Sequence, residues 1–156
     1  MSFEQKFMDR AIKLASDNIE NGGGPFGCVI VKDKVIIAEG VNRVTLNHDP
    51  TAHAEIIAIR CACERLQTHL LDDCELYASC EPCPMCLGAI YWAHISELYY
   101  ASSRVDAENA GFRDALIYKE LNTDVSERHL PSSRHASKDA DKVFLKWIKT
   151  INKKEY

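Results

Sequence analysis

Long hydrophobic runs are absent from this chain of 156 residues. No apolar stretch approaches the roughly 20 residues that a transmembrane helix needs, and the opening MSFEQKFMDR contains no apolar signal core. Repeats, low-complexity segments and composition changes that would mark a domain boundary are also missing. We therefore expect one domain over residues 1–156, located in the cytoplasm and making no membrane contact.

An excess of positive charge is missing as well. The 19 lysines and arginines are outnumbered by 23 acidic residues, which gives a formal net charge of −4 and a pI near 5.9. Affinity for phosphate backbones comes mainly from lysine and arginine, so the composition argues against a nucleic-acid partner. The one basic stripe, over residues 138–149, is explained by a solvated helix face.

Cysteines, in contrast, are plentiful and odd in number, at seven. A chain of this length buries roughly 68–70% of its unfolded surface and needs no disulfide staples. Because we expect a reducing compartment, crosslinks are a poor explanation for the segment CEPCPMC at 80–86. Core packing and metal binding are the two explanations that remain.

Hydrophobic periodicity predicts an alternation of helices and strands. We expect helices at 3–20, 51–66, 82–93, 105–121 and 138–151, a hairpin at 28–40, strands at 74–79 and 97–102, and a polar loop at 122–136. Such alternation indicates one sheet covered by helices on both faces. Residues 51–55 and 80–86 both lie near helix starts that follow strands, where sites form in open α/β sheets, so we expect them to be neighbours.

Three side chains in these segments form a zinc-ligand set. Cys83 and Cys86 share one face at a helix start, where the N–H groups and helix dipole favour thiolates. With His53 they leave the fourth position open, as in catalytic sites, and the nearby Glu55 could move protons there. A structural Cys₃His site that includes Cys80 is the alternative, although the rigid Glu81-Pro82 step separates Cys80 from the helix and such a site leaves Glu55 without a purpose.

The pair HAE at 53–55 and PCPMC at 82–86 is the zinc-deaminase signature. The longer segments DPTAHAEIIAIR and CEPCPMCLGAIYWA resemble the purine branch of the cytidine-deaminase superfamily, which contains bacterial guanine deaminases and tRNA adenosine deaminases. GGGPFGCVIV, DALIYKE and the terminal NKKEY are more similar to the guanine deaminases. The resemblance implies a three-layer α/β/α sandwich around a mixed sheet of about five strands, with one Zn²⁺ per chain.

The resemblance also implies roles for individual residues. His53, Cys83 and Cys86 would hold the zinc, and Glu55 would be the catalytic proton carrier. The base would be held by Phe26, Asn42, Trp92, Asp114 and Tyr156, with Asp114 also acting in catalysis. Ordinary structural roles are the alternatives for several of them: a turn for Asn42, packing for Phe26 and Trp92, and a disordered end for Tyr156.

The implied reaction is hydrolytic deamination of guanine to xanthine and ammonia, in purine catabolism or salvage. A buried carboxylate only accepts hydrogen bonds, so Asp114 would suit the N–H and amino donors of guanine and would repel the N1 lone pair of adenine. Deamination of an adenosine in tRNA, or of a free nucleoside or another aminated heterocycle, is the alternative.

Finally, the resemblance implies a homodimer. In the guanine deaminases that this chain resembles, the C-terminal segment crosses to the other subunit. We therefore expect residues 137–156 to be exchanged between subunits, with the loop at 122–136 as the hinge, so that Tyr156 reaches the partner's site.

Overall fold

The computed structural model of the protein describes residues 2–155. The chain forms two compact units, the first ending at Asp114 and the second beginning at Ala115. Within the described residues, no helix has both the length and the apolar character that crossing a membrane would require.

The first unit alternates helices and strands in the predicted order. Its elements are α1 (Gln5–Glu20), β1 (Gly27–Lys32), β2 (Val35–Val41), α2 (Val44–Asn47), α3 (Ala54–Leu66), β3 (Cys74–Cys80), α4 (Pro84–Trp92), β4 (Glu97–Ser102) and α5 (Arg104–Asn109). Sequence periodicity missed α2, because a helix of four residues is too short to show a 3.6-residue repeat. The single helix expected at 105–121 was also wrong: α5 ends at Asn109 and the next helix covers Ala115–Leu121, because Gly111 between them has a positive φ of 97° that a helix cannot contain.

The strands form one mixed sheet in the order β2-β1-β3-β4. β1 is antiparallel to β2 and to β3, whereas β3 and β4 are parallel and are joined by α4. The expected α/β sandwich is confirmed, but its count of about five strands was wrong, since residues 2–155 contain four. Hydrophobic patterning predicts these four, and the polar segment at 122–136 lacks the alternation that a further strand would need.

Helices cover both faces of this sheet. Alternate residues of β1 point in opposite directions: Val29 and Val31 pack with Tyr77 against α1, and Cys28 and Ile30 pack against α3 and α4. Every residue of β3 is buried, as a central strand between two helical layers requires. The segment with Cys83 and Cys86 therefore comes directly after a fully buried strand.

The backbone of α3 approaches β2 closely at Gly40. A Cβ atom built at Gly40 would lie 2.0 Å from the carbonyl oxygen of Ala54 and 2.7 Å from the amide nitrogen of Ala58. Only glycine permits this approach, which fixes the start of α3 against the sheet.

The second unit contains α6 (Ala115–Leu121), a 3₁₀ turn at Val125–Glu127 and α7 (Lys138–Lys149). None of the residues of α7 is buried. Its large apolar side chains, from Val143 to Ile148, are 44–72% exposed. An amphipathic helix with an exposed apolar side indicates a surface that another element must cover.

Candidate metal centre and active site

His53 lies just before α3. The sequence predicts a helix beginning at residue 51 with His53 in its first turn, but the helix begins at Ala54 and His53 is the N-cap, with φ −71° and ψ 156°. The difference arises from Asp49, whose carboxylate accepts hydrogen bonds from the amide and hydroxyl of Thr51 at 2.8 and 2.7 Å. This turn delays the helix and directs the imidazole across the end of α3.

Cys83 and Cys86 lie at the start of α4, as predicted. Cys83 is the N-cap, in extended conformation, and Pro84 occupies the first helical position, where its missing N–H costs nothing. Cys86 is three residues further on and fully buried. Since α4 follows the carboxyl end of β3, the chain places both sulfurs at the edge of the sheet where α3 begins.

The ligand atoms of His53, Cys83 and Cys86 lie within 4.8 Å of one another. Nδ1 of His53 is 3.6 Å from Sγ of Cys83 and 3.5 Å from Sγ of Cys86. In a tetrahedral zinc site with Zn–S near 2.3 Å and Zn–N near 2.05 Å, sulfur and nitrogen are about 3.6 Å apart. The three side chains therefore already have the spacing of a zinc site, through Nδ1 of the histidine.

The charges at this centre suit a cation. Hydrogen bonding with Cys86 and with His53 lowers the pKa of Cys83 to about 4. The same bond to Cys83, together with burial, raises the pKa of Cys86. The bond to Cys83 also raises the pKa of His53. The thiolate form is thus favoured at Cys83, and the proton of Cys86 is the one that a metal ion would displace.

Glu55 lies in the first turn of α3 and faces this centre. Its side chain is 7% exposed, and its Oε2 accepts a hydrogen bond from Sγ of Cys86 at 3.4 Å. Burial raises the pKa of the carboxyl, so this side chain can hold and release protons more readily than an exposed glutamate. Its position is the one expected of a proton carrier beside a metal.

Cys80 stands apart from the three ligands. Its buried thiol points to the carbonyl oxygen of Ser103, 3.5 Å away, and it does not belong to the His53, Cys83 and Cys86 group. Burial raises the pKa of Cys80 to about 11, which keeps it protonated. The Cys₃His alternative therefore has no support in this geometry, and within residues 2–155 the group of possible ligands consists of His53, Cys83 and Cys86.

Asn42 and Phe26 are held together beside the end of β2. The backbone N–H of Asn42 donates a hydrogen bond to the backbone carbonyl oxygen of Phe26, with N and O 3.1 Å apart. Oδ1 of Asn42 accepts from the amide of Val44 at 3.3 Å, and within the described part of the chain its Nδ2 has no hydrogen-bond partner. Phe26 is half-buried and packs edge to face on Phe112, with ring centroids 4.7 Å apart.

Sequence reasoning missed Asn18, a buried residue of α1 that contacts this segment. Its Nδ2 donates to the carbonyl oxygens of Gly24 and Asn42, both at 2.8 Å. A signal existed in the pattern, because Asn18 continues the buried stripe of Phe7, Ala11 and Ala15 at helical spacing. A polar residue on the apolar side of a helix indicates a specific partner.

Asp114 and Trp92 do not belong to the group of possible metal ligands. Asp114 is half-buried in the segment before α6 and, within residues 2–155, has no hydrogen bond or ion pair with another side chain. Trp92, the last residue of α4, is 63% exposed and so does not pack into the core of its unit. Tyr156 lies outside the described residues. Their roles toward a substrate stay predictions.

Residues 1–102 match the family described as the cytidine and deoxycytidylate deaminase zinc-binding region. The chain belongs to this family. It is 52% identical to guanine deaminase of Bacillus subtilis over 153 residues, which are 97% of this chain and 98% of that protein. The X-ray structure of guanine deaminase from Bacillus subtilis matches it with a TM-score of 0.96 and 51% identity, covering 99% of both chains.

Two further relatives match over a smaller part of the chain. The tRNA-specific adenosine deaminase of Aquifex aeolicus is 40% identical over 108 residues, which are 69% of this chain and 70% of that protein. A structure of guanine deaminase from Nitrosomonas europaea has a TM-score of 0.69 at 34% identity, covering 73% of this chain and 66% of that one. The family and the zinc cofactor inferred from HAE and PCPMC are confirmed.

Proposed function

We propose that this protein is a zinc-dependent aminohydrolase that converts guanine and water to xanthine and ammonia, acting on the free base in the cytoplasm. The observation that carries the reaction type is the open set of His53, Cys83 and Cys86 with the buried Glu55 against it. Similarity to a guanine deaminase over 97% of the chain supports the choice of substrate. The match to the tRNA deaminase of Aquifex aeolicus covers a smaller part of the chain, 69%.

The residues of this chain divide the work between holding the metal and moving protons. Zinc would supply Lewis acidity, which lowers the pKa of a water molecule to about 7. His53, Cys83 and Cys86 would hold the metal at the edge of the sheet. Glu55 would take one proton from the attacking water and pass it to a ring nitrogen of the base; it would then take the second proton from the new hydroxyl group on the carbon, which becomes the carbonyl, and give it to the departing amine.

Asn42 and Asp114 read the base in this proposal. Because the amide of Val44 occupies Oδ1 of Asn42, the group left for a ligand is Nδ2, a donor. It is suited to a carbonyl or unprotonated ring nitrogen of a purine. The carboxylate of Asp114 accepts hydrogen bonds from the N1–H and the amino group of guanine. Adenine has no hydrogen on N1 and cannot donate there. Phe26 and Trp92 offer aromatic surface to the ring.

A comparison of candidate substrates tests the function directly. The purified protein is supplied with guanine, adenine, cytosine, guanosine or a tRNA anticodon stem-loop, and the rate of ammonia release is measured for each. The proposal expects much faster release from guanine than from any other compound, with xanthine formed in equal amount. Faster deamination of adenosine in the stem-loop would replace this proposal by the tRNA alternative.

The same proposal includes a homodimer that exchanges its C-terminal segments. The first unit carries an apolar groove of about 360 Å³, lined by Ile12, Ala15 and Ile19 of α1 and, opposite them, by Ala101, Ala107 and Phe112. We assign this groove to the exposed apolar side of α7 from a second copy. The 16 residues between α6 and α7, which include one 3₁₀ turn, can span at most about 50 Å when extended, and this length would let α7 leave its own subunit in the proposed exchange.

Complementation between two inactive chains tests the exchange. One chain carries Glu55→Gln with an intact C-terminus, and the other keeps Glu55 but lacks Tyr156. If the segments are exchanged, a heterodimer has one site that combines Glu55 with the partner's Tyr156, and activity partly returns. A monomer in solution, or heterodimers without any recovery, would contradict the exchange.

A further inference from the structure

We infer that Asn18 is a positioning residue for the base-binding site, acting through Asn42 and Phe26. The inference rests on the proposed function, since that proposal places Asn42 and Phe26 against the purine. Asn18 belongs to α1, an element that carries none of the residues assigned to the metal or to the base.

A single buried amide connects three segments of the chain. Asn18 is 3% exposed, and both hydrogen bonds of its Nδ2 are 2.8 Å long, one to Gly24 and one to Asn42. Gly24 in turn accepts from the amide of Phe26 at 2.8 Å, and Phe26 accepts from Asn42 at 3.1 Å. Asn18 thus closes a ring of hydrogen bonds around the two residues that would meet the base.

The neighbouring glycines fit this arrangement closely. A Cβ atom at Gly23 would lie 2.3 Å from Nδ2 and 2.7 Å from Oδ1 of Asn18. A Cβ atom at Gly24 would lie 2.9 Å from Oδ1 of Asn42. The backbone therefore packs flat against both amides, and a side chain at Gly23 would displace Asn18 from its two acceptors.

The effect of Asn18 should appear in substrate binding rather than in the chemical step. His53 and Glu55 are placed by α3, and the two cysteines by α4, so the metal centre does not depend on this ring of hydrogen bonds. Loss of binding that is equal in the ground state and the transition state raises KM and leaves kcat nearly unchanged. A displacement of Asn42 by about 1 Å would be enough to weaken its contact with the base and to raise KM.

The decisive variant is Asn18→Asp, which keeps the shape of the side chain and places a carboxylate oxygen opposite two carbonyl oxygens. We expect KM for guanine to rise about 10- to 100-fold, with a much smaller change in kcat and unchanged zinc content. Gly23→Ala should raise KM in the same way by displacing the side chain of Asn18, which itself is not mutated. If Asn18→Asp does not fold, the KM of Gly23→Ala tests the role of Asn18.

Phe7→Leu is the matched control, because Phe7 is buried at the other end of α1 and packs on Tyr77. It should lower thermal stability and leave KM unchanged. An unchanged KM in a folded Asn18→Asp or Gly23→Ala protein overturns the inference, as does an equal rise in Phe7→Leu. If the wild type prefers another base, the proposed substrate fails, and the same variants are compared on that base.

Discussion

Replacing Glu55 by glutamine removes a group that can gain and lose a proton and keeps the shape of the side chain. Glutamine has nearly the same volume as glutamate, so it fits the buried position of Glu55. Because burial disfavours the charged carboxylate and raises its pKa, a neutral amide suits this position well. We expect the variant to fold and to bind zinc as the wild type does.

Turnover is what the variant should lose. A positioned acid–base group contributes about 10²–10⁴ in rate, which corresponds to roughly 2.7–5.5 kcal/mol of transition-state free energy. Glutamine cannot carry the proton from water to the ring nitrogen or to the leaving amine, so kcat should fall by at least this factor. Steady-state ammonia release gives kcat, and atomic absorption gives zinc per chain.

Glu75→Gln is a matched control for this experiment. Glu75 is also 7% exposed, but it lies on β3 and accepts a hydrogen bond from the hydroxyl of Tyr77 at 2.8 Å, away from the metal ligands. Its replacement should leave kcat unchanged. A near-normal kcat for Glu55→Gln, or equal losses in both variants, would remove Glu55 from the mechanism.

Three further predictions concern the ligand set, the substrate and the fold. Cys83→Ala should lose zinc and activity while Cys80→Ser keeps both, and X-ray absorption should show two sulfurs and one nitrogen at the metal; three sulfurs would favour the structural site. Asp114→Asn should reduce guanine turnover more than thermal stability, and an equal effect on both would assign Asp114 to the fold alone. Gly40→Ala should lower the free energy of unfolding by at least about 1–3 kcal/mol, measured by denaturant titration, since its methyl group would strike the backbone of α3; an unchanged midpoint would contradict the close approach described.

The group of His53, Cys83 and Cys86 could be predicted from sequence because each of its two motifs, HAE and PCPMC, is a short continuous segment. PCPMC fixes the spacing of two sulfurs at a helix start, and the helix–strand alternation brings His53 to the same edge of the sheet. The details of His53 could not be predicted in this way. Its place as N-cap depends on the turn that Asp49 makes with Thr51, which delays α3 by three residues relative to the prediction.

Other features depend on contacts between distant segments and leave little trace in periodicity. The four strands follow from hydrophobic patterns, whereas the fifth came only from the resemblance and was wrong for the described residues. Asn18 and Asn42 are 24 positions apart, and only the polar residue in the apolar stripe of α1 hinted at their contact. The roles of Asp114, Trp92 and Tyr156 stay predictions.

Removal and return of zinc test the central claim most directly. Protein treated with a chelator is assayed for conversion of guanine to xanthine, and zinc is then added back in measured amounts. The account predicts no xanthine from the stripped protein and a linear recovery that is complete at one zinc per chain, because His53, Cys83 and Cys86 form one site. Full activity without metal, or guanine left unchanged by protein that has regained one zinc per chain, would contradict it.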